Sequence, residues 1–222
     1  MSRAWQTLDR WASPDGLLEL RQRDREDFLI CIDGRVLMNS RASRSEEELG
    51  VRACTGLGAG ARILVGGLGM GFTLRSILDA VGPDARIIVS ELYPVVAEWC
   101  RGPLSDLTKG CLDDPRVSLE IGNVADVIRR FAEDRESLDA VVLDLFEGPH
   151  ARTDAENDSF YGRAAIGRSH RALAPGGVLA VWAEGRETRF QARLRHQGFV
   201  VESHRPGRGG FRHWIVLGRK PI

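Results

Sequence analysis

Apolar residues follow two different patterns along the chain, and the first occupies the N-terminal part. Residues 17–38, LLELRQRDREDFLICIDGRVLM, carry short alternating apolar runs that break at RDRED and at Asp33-Gly34. Asp-Gly between apolar runs is typical of a hairpin turn, so this segment predicts two or three short antiparallel strands. The next segment, SRSEEELGVRACTGL, has helical spacing, with Ser43 or Ser45 as the N-cap and glutamates in the first turn.

From residue 61 onward, wholly apolar runs alternate with segments of helical spacing. This alternation predicts a doubly wound parallel sheet with helices on both faces. The predicted strands are Ile63–Val65, Ile87–Val89, Val117–Ile121, Ala140–Leu143 and Val178–Trp182, and the predicted helices are Phe72–Ala80, Val95–Arg101, Val124–Ala132 and Gly162–Leu173.

The end of the chain departs from this alternation. Two further strands, in RLRHQGFVVESH and FRHWIVLGRK, are joined only by a short Gly/Arg-rich loop. Such a loop is too short for a parallel crossover, so these strands are predicted to pair antiparallel. The two patterns together divide the chain into residues 1–57, a small β-hairpin region with a helix, and residues 58–222, an α/β domain.

Composition and charge exclude several classes of function. The 31 basic and 31 acidic residues balance, which argues against a nucleic-acid partner or a membrane-surface protein. No apolar run approaches the ~18 residues of a membrane span, and the start, MSRAWQTLDRW, lacks the apolar core of a signal peptide. Four scattered cysteines and five histidines without ligand spacing argue against a metal site. We therefore expect a cytoplasmic protein with reduced thiols.

A glycine-rich loop follows the first strand of the α/β domain, at the sheet edge where such domains bind ligands. The loop places Gly67, Gly69 and Gly71 directly before a predicted helix, and we expect at least one of them at positive φ. Loops of this kind let a nucleotide approach the backbone at a helix N-terminus. The nicotinamide fingerprint requires glycine or alanine where this chain has Phe72. A tight turn without a ligand is the alternative.

Polar side chains end the following strands. Glu91 lies about 20 residues after the loop, where an acid can accept both ribose hydroxyls of a nucleoside; a solvated acid is the alternative. Asn123 follows the next strand, from which its side chain could meet an adenine edge. Asp144 ends a wholly apolar strand, so we expect it to lie over the pocket.

Taken in order, the glycine loop, Glu91, IGNVADVI, LDAVVLDLFEGP and FYGRAAIGRSHRALAPGGVLAVW resemble the spermidine synthase family. The resemblance covers most of the chain and implies a Rossmann-like class I methyltransferase fold with a small N-terminal β-hairpin domain. It also implies a donor that is S-adenosylmethionine or decarboxylated S-adenosylmethionine, a small-molecule amine acceptor and a homodimer. The donor site is expected to contain Gly67, Gly69, Met70, Gly71, Glu91, Leu92, Asn123, Val124 and Asp144.

By the same resemblance Asp144 is the catalytic carboxylate that removes a proton from the acceptor. The family's D-S-S-D motif becomes DLFE here, so the second acid is Glu147, which could position a cationic acceptor. The family's tyrosine that helps place the diamine falls near Ser45.

One departure bears on the donor. The family's loop reads G-G-G-D-G-G, and its acid helps hold the amine end of decarboxylated S-adenosylmethionine; this chain has Met70 there. An acid at that place would repel the carboxylate of ordinary S-adenosylmethionine. Its replacement therefore favours methyl transfer from the ordinary donor. Aminopropyl transfer is the alternative, followed by aminocarboxypropyl transfer and by a non-catalytic nucleoside-binding protein.

Overall fold

The computed structural model describes residues 3–134, 136–207 and 213–222. In this part of the chain, a four-stranded antiparallel sheet precedes a seven-stranded sheet flanked by helices. The strands are β1 (Gln6–Ser13), β2 (Gly16–Asp24), β3 (Asp27–Ile32), β4 (Arg35–Asn39), β5 (Arg62–Gly66), β6 (Arg86–Glu91), β7 (Val117–Ile121), β8 (Leu138–Leu143), β9 (Leu173–Ala183), β10 (Val200–His204) and β11 (Trp214–Arg219). The helices are α1 (Arg44–Cys54), α2 (Phe72–Ala80), α3 (Pro94–Arg101), α4 (Val124–Glu133), α5 (Arg163–Ala172) and α6 (Thr188–His196), with 3₁₀ turns at Ser105–Thr108 and Cys111–Asp113.

The small sheet runs in the order β1-β2-β3-β4, with every neighbouring pair antiparallel. Asp33 and Gly34 form the turn between β3 and β4 with φ of 46° and 78°, as the Asp-Gly signal predicts. Strand β1 was not predicted, because none of its residues is buried and its sequence carries no apolar alternation. Helix α1 then packs on α2 and on strands β8 and β9 of the large sheet. That packing places α1 beside β8 and β9 of the large sheet.

The large sheet has the order β10-β11-β9-β8-β5-β6-β7. The strands from β9 to β7 are parallel, whereas β11 runs antiparallel to both β9 and β10. The predicted antiparallel end of the sheet is therefore confirmed. Residues 208–212, within the Gly/Arg-rich loop and the start of the last predicted strand, lie outside the described residues.

The five predicted parallel strands and four predicted helices are all present, and the bounds of Phe72–Ala80 and Val117–Ile121 agree with the prediction. Helix α6 was missed, because its apolar face carries only Phe190 and Leu194 among charged residues. Apolar side chains form one core cluster on each side of the large sheet. No helix in the described ranges is long and apolar enough to cross a membrane.

Candidate active site

A cavity of about 350 Å³ lies over the carboxyl ends of β5, β6, β7 and β8. Its volume is within the range of small-molecule sites, and its position is where open α/β sheets bind ligands. The small sheet covers one side of it with five apolar side chains. Those side chains are Leu18, Ile30, Ile32, Leu37 and Met38.

The glycine loop takes a conformation that favours glycine at three places. Gly67, Gly69 and Gly71 have φ of 86°, 52° and 85°, as expected from the sequence. A Cβ on Gly67 would lie 2.3 Å from the carbonyl oxygen of Asp144, and one on Gly69 would lie 2.3 Å from the sulfur of Met38. Gly67 and Gly69 line the cavity. The loop is thus pressed between the end of β8 and the small sheet.

Met70 and Gly71 are not among the residues that line the cavity, and their place in the donor site stays a prediction. The Met70 side chain is 0% exposed and packs in the apolar core. Gly71 is the N-cap of α2, and a Cβ there would lie 2.9 Å from the sulfur of Cys111. An apolar side chain gains more free energy from burial in the core than from contact with solvent in the cavity. The Met70 side chain therefore places no charge beside the cavity.

Glu91 joins the glycine loop to the end of β6. Its Oε2 accepts a hydrogen bond from the Leu68 backbone N–H at 2.8 Å, and its Oε1 accepts one from the Tyr93 N–H at 2.9 Å. Burial raises the pKa of this carboxyl, and these backbone bonds oppose the rise. Glu91 lines the cavity with lone pairs left for ligand hydroxyls. Its neighbour Leu92 also lines the cavity and is 49% exposed.

Asn123 and Val124 lie on the cavity wall at the start of α4. The Asn123 side-chain oxygen accepts the Ala125 N–H at 2.9 Å and so caps the helix. This bond leaves the carboxamide nitrogen available to a ligand, and contact with adenine stays a prediction. Val124 is buried against Gly66 of β5.

Asp144 follows β8 and lines the cavity. Burial, and then the nearby Glu46 carboxyl, raise the pKa of Asp144 to about 7. The Thr73 hydroxyl oxygen lies 2.6 Å from Asp144 Oδ2 and 3.1 Å from the carbonyl oxygen of Glu46. A hydroxyl has one hydrogen, so both contacts are hydrogen bonds only when Asp144 is protonated and donates to Thr73. The geometry corresponds to a neutral Asp144, and a pKa of about 7 leaves about half of this carboxyl protonated at pH 7 in the ligand-free protein.

Glu46 is a further carboxyl of the cavity, which Glu91, Asp144, Glu147 and Asp158 also line, and sequence reasoning missed it as a site residue. It lies in α1, is 9% exposed and lines the cavity wall. Burial raises its pKa, and the Ser45 hydroxyl, 2.7 Å from Glu46 Oε2, opposes the rise. The helical spacing of the sequence could have indicated that Glu46 is buried, because it shares a helix face with the buried Leu49, Gly50 and Ala53. An acid on the apolar face of a helix is a candidate site residue.

Glu147 lies at the rim of the cavity. Its side chain is 55% exposed and lies 3.4 Å from the guanidinium of Arg35, at the start of β4. The Arg35 guanidinium also lies over the Phe146 ring, 5.8 Å from its centroid. Tyr161, in the segment before α5, donates to the Glu147 carbonyl at 3.0 Å. The predicted role of Glu147 toward a cationic acceptor stays a prediction.

Comparison with known proteins identifies the family of the chain. No protein-family model matches it. It is 32% identical to the polyamine aminopropyltransferase of Mycobacterium tuberculosis over 163 residues, which are 72% of this chain and 30% of that protein. The crystal structure of spermidine synthase from Thermotoga maritima aligns with a TM-score of 0.76, covering 98% of this chain and 73% of that one at 18% identity. The chain belongs to the spermidine synthase-like family.

A second solved member of the family is a spermidine synthase in complex with the transition state analogue AdoDATO. It aligns with a TM-score of 0.73 at 18% identity and covers 98% of this chain and 73% of that one. At these identities the solved structures show a shared fold. The matched region spans less than a third of the length of the Mycobacterium tuberculosis protein. The family and the fold class expected from the sequence are confirmed.

Glu91→Ala is expected to weaken binding of an S-adenosylmethionine-type donor by ~1–3 kcal/mol, because charge-assisted hydrogen bonds to the ribose and the anchor of the glycine loop are lost together. Titration calorimetry with the donor measures the change. Glu120→Ala is the matched control, because Glu120 lies on neighbouring β7 and pairs with Arg130 away from the cavity. Unchanged affinity in the Glu91 variant would contradict the ribose assignment.

Proposed function

We propose that this chain transfers the aminopropyl group of decarboxylated S-adenosylmethionine to a small amine acceptor. The observation that carries the proposal is the pair of neighbouring buried carboxyls, Asp144 and Glu46, on the wall of the cavity. Support also comes from the curated relative, named a polyamine aminopropyltransferase, and from the spermidine synthases of the same fold. Methyl transfer, which position 70 favours on sequence grounds, has no support from these relatives.

The carboxyl pair discriminates between the two donors by charge. The tail of ordinary S-adenosylmethionine carries a carboxylate and an ammonium, whereas the decarboxylated tail carries only the ammonium. Two unit charges 4 Å apart near a protein surface interact by ~4 kcal/mol. The ammonium of a bound tail lowers the pKa of both carboxyls, and in their ionised form they attract the decarboxylated tail and repel a carboxylate. Glu46 thereby supplies the negative charge that the glycine loop of this chain lacks at Met70.

The remaining predicted residues fit a nucleoside in the same cavity. Gly67 and Gly69 allow close approach to the loop backbone, Glu91 offers carboxylate lone pairs to ribose hydroxyls, and Asn123 offers an amide nitrogen to a base. When bound, the donor supplies a carbon activated by the neighbouring sulfonium. The cavity residues have to align that carbon with the acceptor nitrogen, which is the main source of rate in an in-line displacement.

Asp144 acts as the general base in this proposal. It takes one proton from the acceptor's ammonium and so frees the nitrogen lone pair. The N–C bond to the propyl group forms while the C–S bond breaks, and the electron pair of that bond stays on sulfur, which leaves as a neutral thioether. Two nearby cations, the sulfonium and the ammonium, lower the pKa of Asp144 from its raised ligand-free value. Asp144 is thus ionised when the reactants are present.

Glu46→Gln tests the charge pair. The variant is expected to bind decarboxylated S-adenosylmethionine ~10- to 100-fold more weakly, the range of a lost hydrogen bond to a charged group, and to lose most of its preference over the ordinary donor. Calorimetry with each donor measures both quantities. Glu47→Gln is the matched control, because Glu47 is exposed on the same helix and bonded to Ser43. Equal donor preference in both variants would contradict the role of Glu46.

Product mass identifies the reaction itself. Wild-type protein incubated with each donor and a panel of diamines is expected to yield an amine heavier by one aminopropyl group, and only with the decarboxylated donor. An acceptor heavier by one methyl group would restore the methyl-transfer alternative. Absence of donor binding at millimolar concentration would exclude both reactions.

A further inference from the structure

A second hydrogen-bonded group lies behind Glu46, and it is centred on the hydroxyl of Ser45. The Ser45 oxygen is 2.7 Å from Glu46 Oε2, 3.0 Å from His213 Nδ1 and 3.3 Å from Trp182 Nε1. Ser45 is 5% exposed, and His213, just before β11, is half-buried with its ring edge-on to Trp182 at 4.6 Å. These contacts extend from the cavity wall through the space between α1, β9 and β11.

The donor and acceptor chemistry of these side chains limits how their hydrogen bonds can be directed. The indole N–H of Trp182 can only donate, so Ser45 accepts it and has one hydrogen and one lone pair left for its two other partners. Either protonated Glu46 donates to Ser45 and Ser45 donates to His213 Nδ1, or His213 Nδ1–H donates to Ser45 and Ser45 donates to ionised Glu46. The two arrangements differ by the transfer of one proton along the three side chains.

We propose that Glu46, Ser45 and His213 form a proton relay that removes from the cavity the proton released by the acceptor amine. The inference rests on the proposed aminopropyl transfer, in which each turnover leaves one proton on the carboxyl pair. The proton first passes from Asp144 to the carboxylate of its neighbour Glu46, the O–H bond on Asp144 breaking as the one on Glu46 forms. Glu46 then passes a proton to the Ser45 oxygen while the Ser45 hydrogen moves to His213 Nδ1. The imidazolium then loses a proton to solvent, and further exchange with solvent restores the starting tautomer. No oxidant or co-reactant is required, and each bond broken is an N–H or O–H bond that re-forms on the next atom.

The surroundings bring the pKa values of the two ends of the relay, Glu46 and His213, closer together, so a proton can move along it in either direction. Burial raises the pKa of Glu46, with a contribution from Glu47, so this carboxyl holds a proton near neutral pH more readily than an exposed acid. Burial lowers the pKa of His213, and Glu184 at the end of β9 opposes the change, so the ring releases a proton readily to solvent. On the cavity side the charge facing Glu46 is that of Asp144. Ser45 and His213 act through Glu46 and are positioning residues for it.

Kinetics with matched variants test the relay. His213→Ala and Ser45→Ala are expected to lower kcat about ten-fold at low buffer concentration, at the lower end of effects for lost proton transfer, with KM for both substrates nearly unchanged. Added imidazole should restore kcat in His213→Ala but not in Ser45→Ala. Ser45→Thr keeps the hydroxyl and should retain most of the activity. A His213→Ala enzyme with wild-type kcat at low buffer, or one that imidazole does not restore, would overturn the relay.

An equilibrium measurement separates this proposal from the proposed function. In ¹⁵N NMR titrations without donor or acceptor, Glu46→Gln should shift the titration midpoint of His213, and the shift should vanish when Ser45 is alanine in both proteins. Identical midpoints with and without Glu46 would overturn the relay. A wild-type protein that transfers nothing, yet shows this Ser45-dependent coupling, would count against aminopropyl transfer and would leave the proton path supported.

Discussion

Asp144→Asn is expected to lower kcat at least ~100-fold, within the usual range for a lost general base. The substitution keeps the shape of the side chain and its contact with Thr73, 2.6 Å away, but removes the group that accepts the acceptor's proton. Donor affinity should change less than kcat, because Glu91 and the glycine loop still hold the nucleoside and Glu46 still faces the tail in our proposal. Initial rates with decarboxylated S-adenosylmethionine and a diamine, beside calorimetry with the donor alone, measure the two effects. Near-normal turnover would mean that the proton is taken by another group of the cavity.

Asp144→Asn should also be more stable than wild type at high pH, because the pKa of Asp144 is raised in the folded protein. The pKa of Asp144 is about 7 in the folded protein against 3.8 ordinarily. Because the pKa is raised on folding, the protonated carboxyl contributes fully to the unfolding free energy below pH ~4, and this contribution is lost as pH rises through 7. Ligand-free Asp144→Asn, which never ionises, should therefore exceed wild type in unfolding free energy at pH 8 by on the order of 2 to 4 kcal/mol. Urea denaturation at pH 5 and pH 8 measures the difference, and a difference independent of pH would contradict the buried, protonated state.

Gly69→Val is expected to abolish measurable donor binding while leaving a folded protein. Valine is strongly disfavoured at the φ of 52° found here, and its Cβ would lie 2.3 Å from the sulfur of Met38. The loop must move into the cavity or Met38 must leave it, and either change disrupts the surface that receives the nucleoside. Circular dichroism reports the fold and calorimetry the affinity.

Two further variants keep this test decisive. Gly58→Val adds the same side chain where no atom lies within 4 Å of the new Cβ and should bind the donor normally. Gly69→Ala adds a single methyl group, and its donor affinity should lie between those of Gly69→Val and Gly58→Val. It therefore reports on the loop even where valine prevents folding. A folded Gly69→Val protein with wild-type affinity would refute the assignment of the loop to the donor.

The parts of the site that lie at strand ends were predictable, because strand and loop follow each other directly in the sequence. An apolar run that ends in Asp144, or in Glu91, places its acid at the sheet edge in any doubly wound fold. Glu46 was not predictable in this way, because it reaches the cavity through the packing of α1 on α2, β8 and β9. That packing depends on residues distant in sequence, and α1 itself shows only that one of its faces is buried.

The direction in which the Met70 side chain points from the glycine loop could not be predicted from the sequence either. Met70 aligns with an acid that faces the donor's tail in the family, yet its side chain lies in the core. Whether a side chain between glycines points inward or outward depends on the φ and ψ values that those glycines adopt, and glycine permits many. Strand β1 was missed for a related reason: its exposed residues carry no alternation, and only its pairing with β2 makes it a strand.

The position of β11 between β9 and β10 has a consequence for synthesis of the chain on the ribosome. Strand β9 ends at Ala183 and its outer partner begins at Trp214, so the edge of β9 is made well before the strand that covers it. At ~5–20 residues per second, translation leaves this apolar edge without its partner for roughly two to six seconds. β10, although synthesised earlier, cannot join the sheet until β11 arrives, because its pairing in the sheet is with β11. The nascent chain therefore completes its sheet last at the edge farthest from β7, and chaperone protection would be needed longest at that edge.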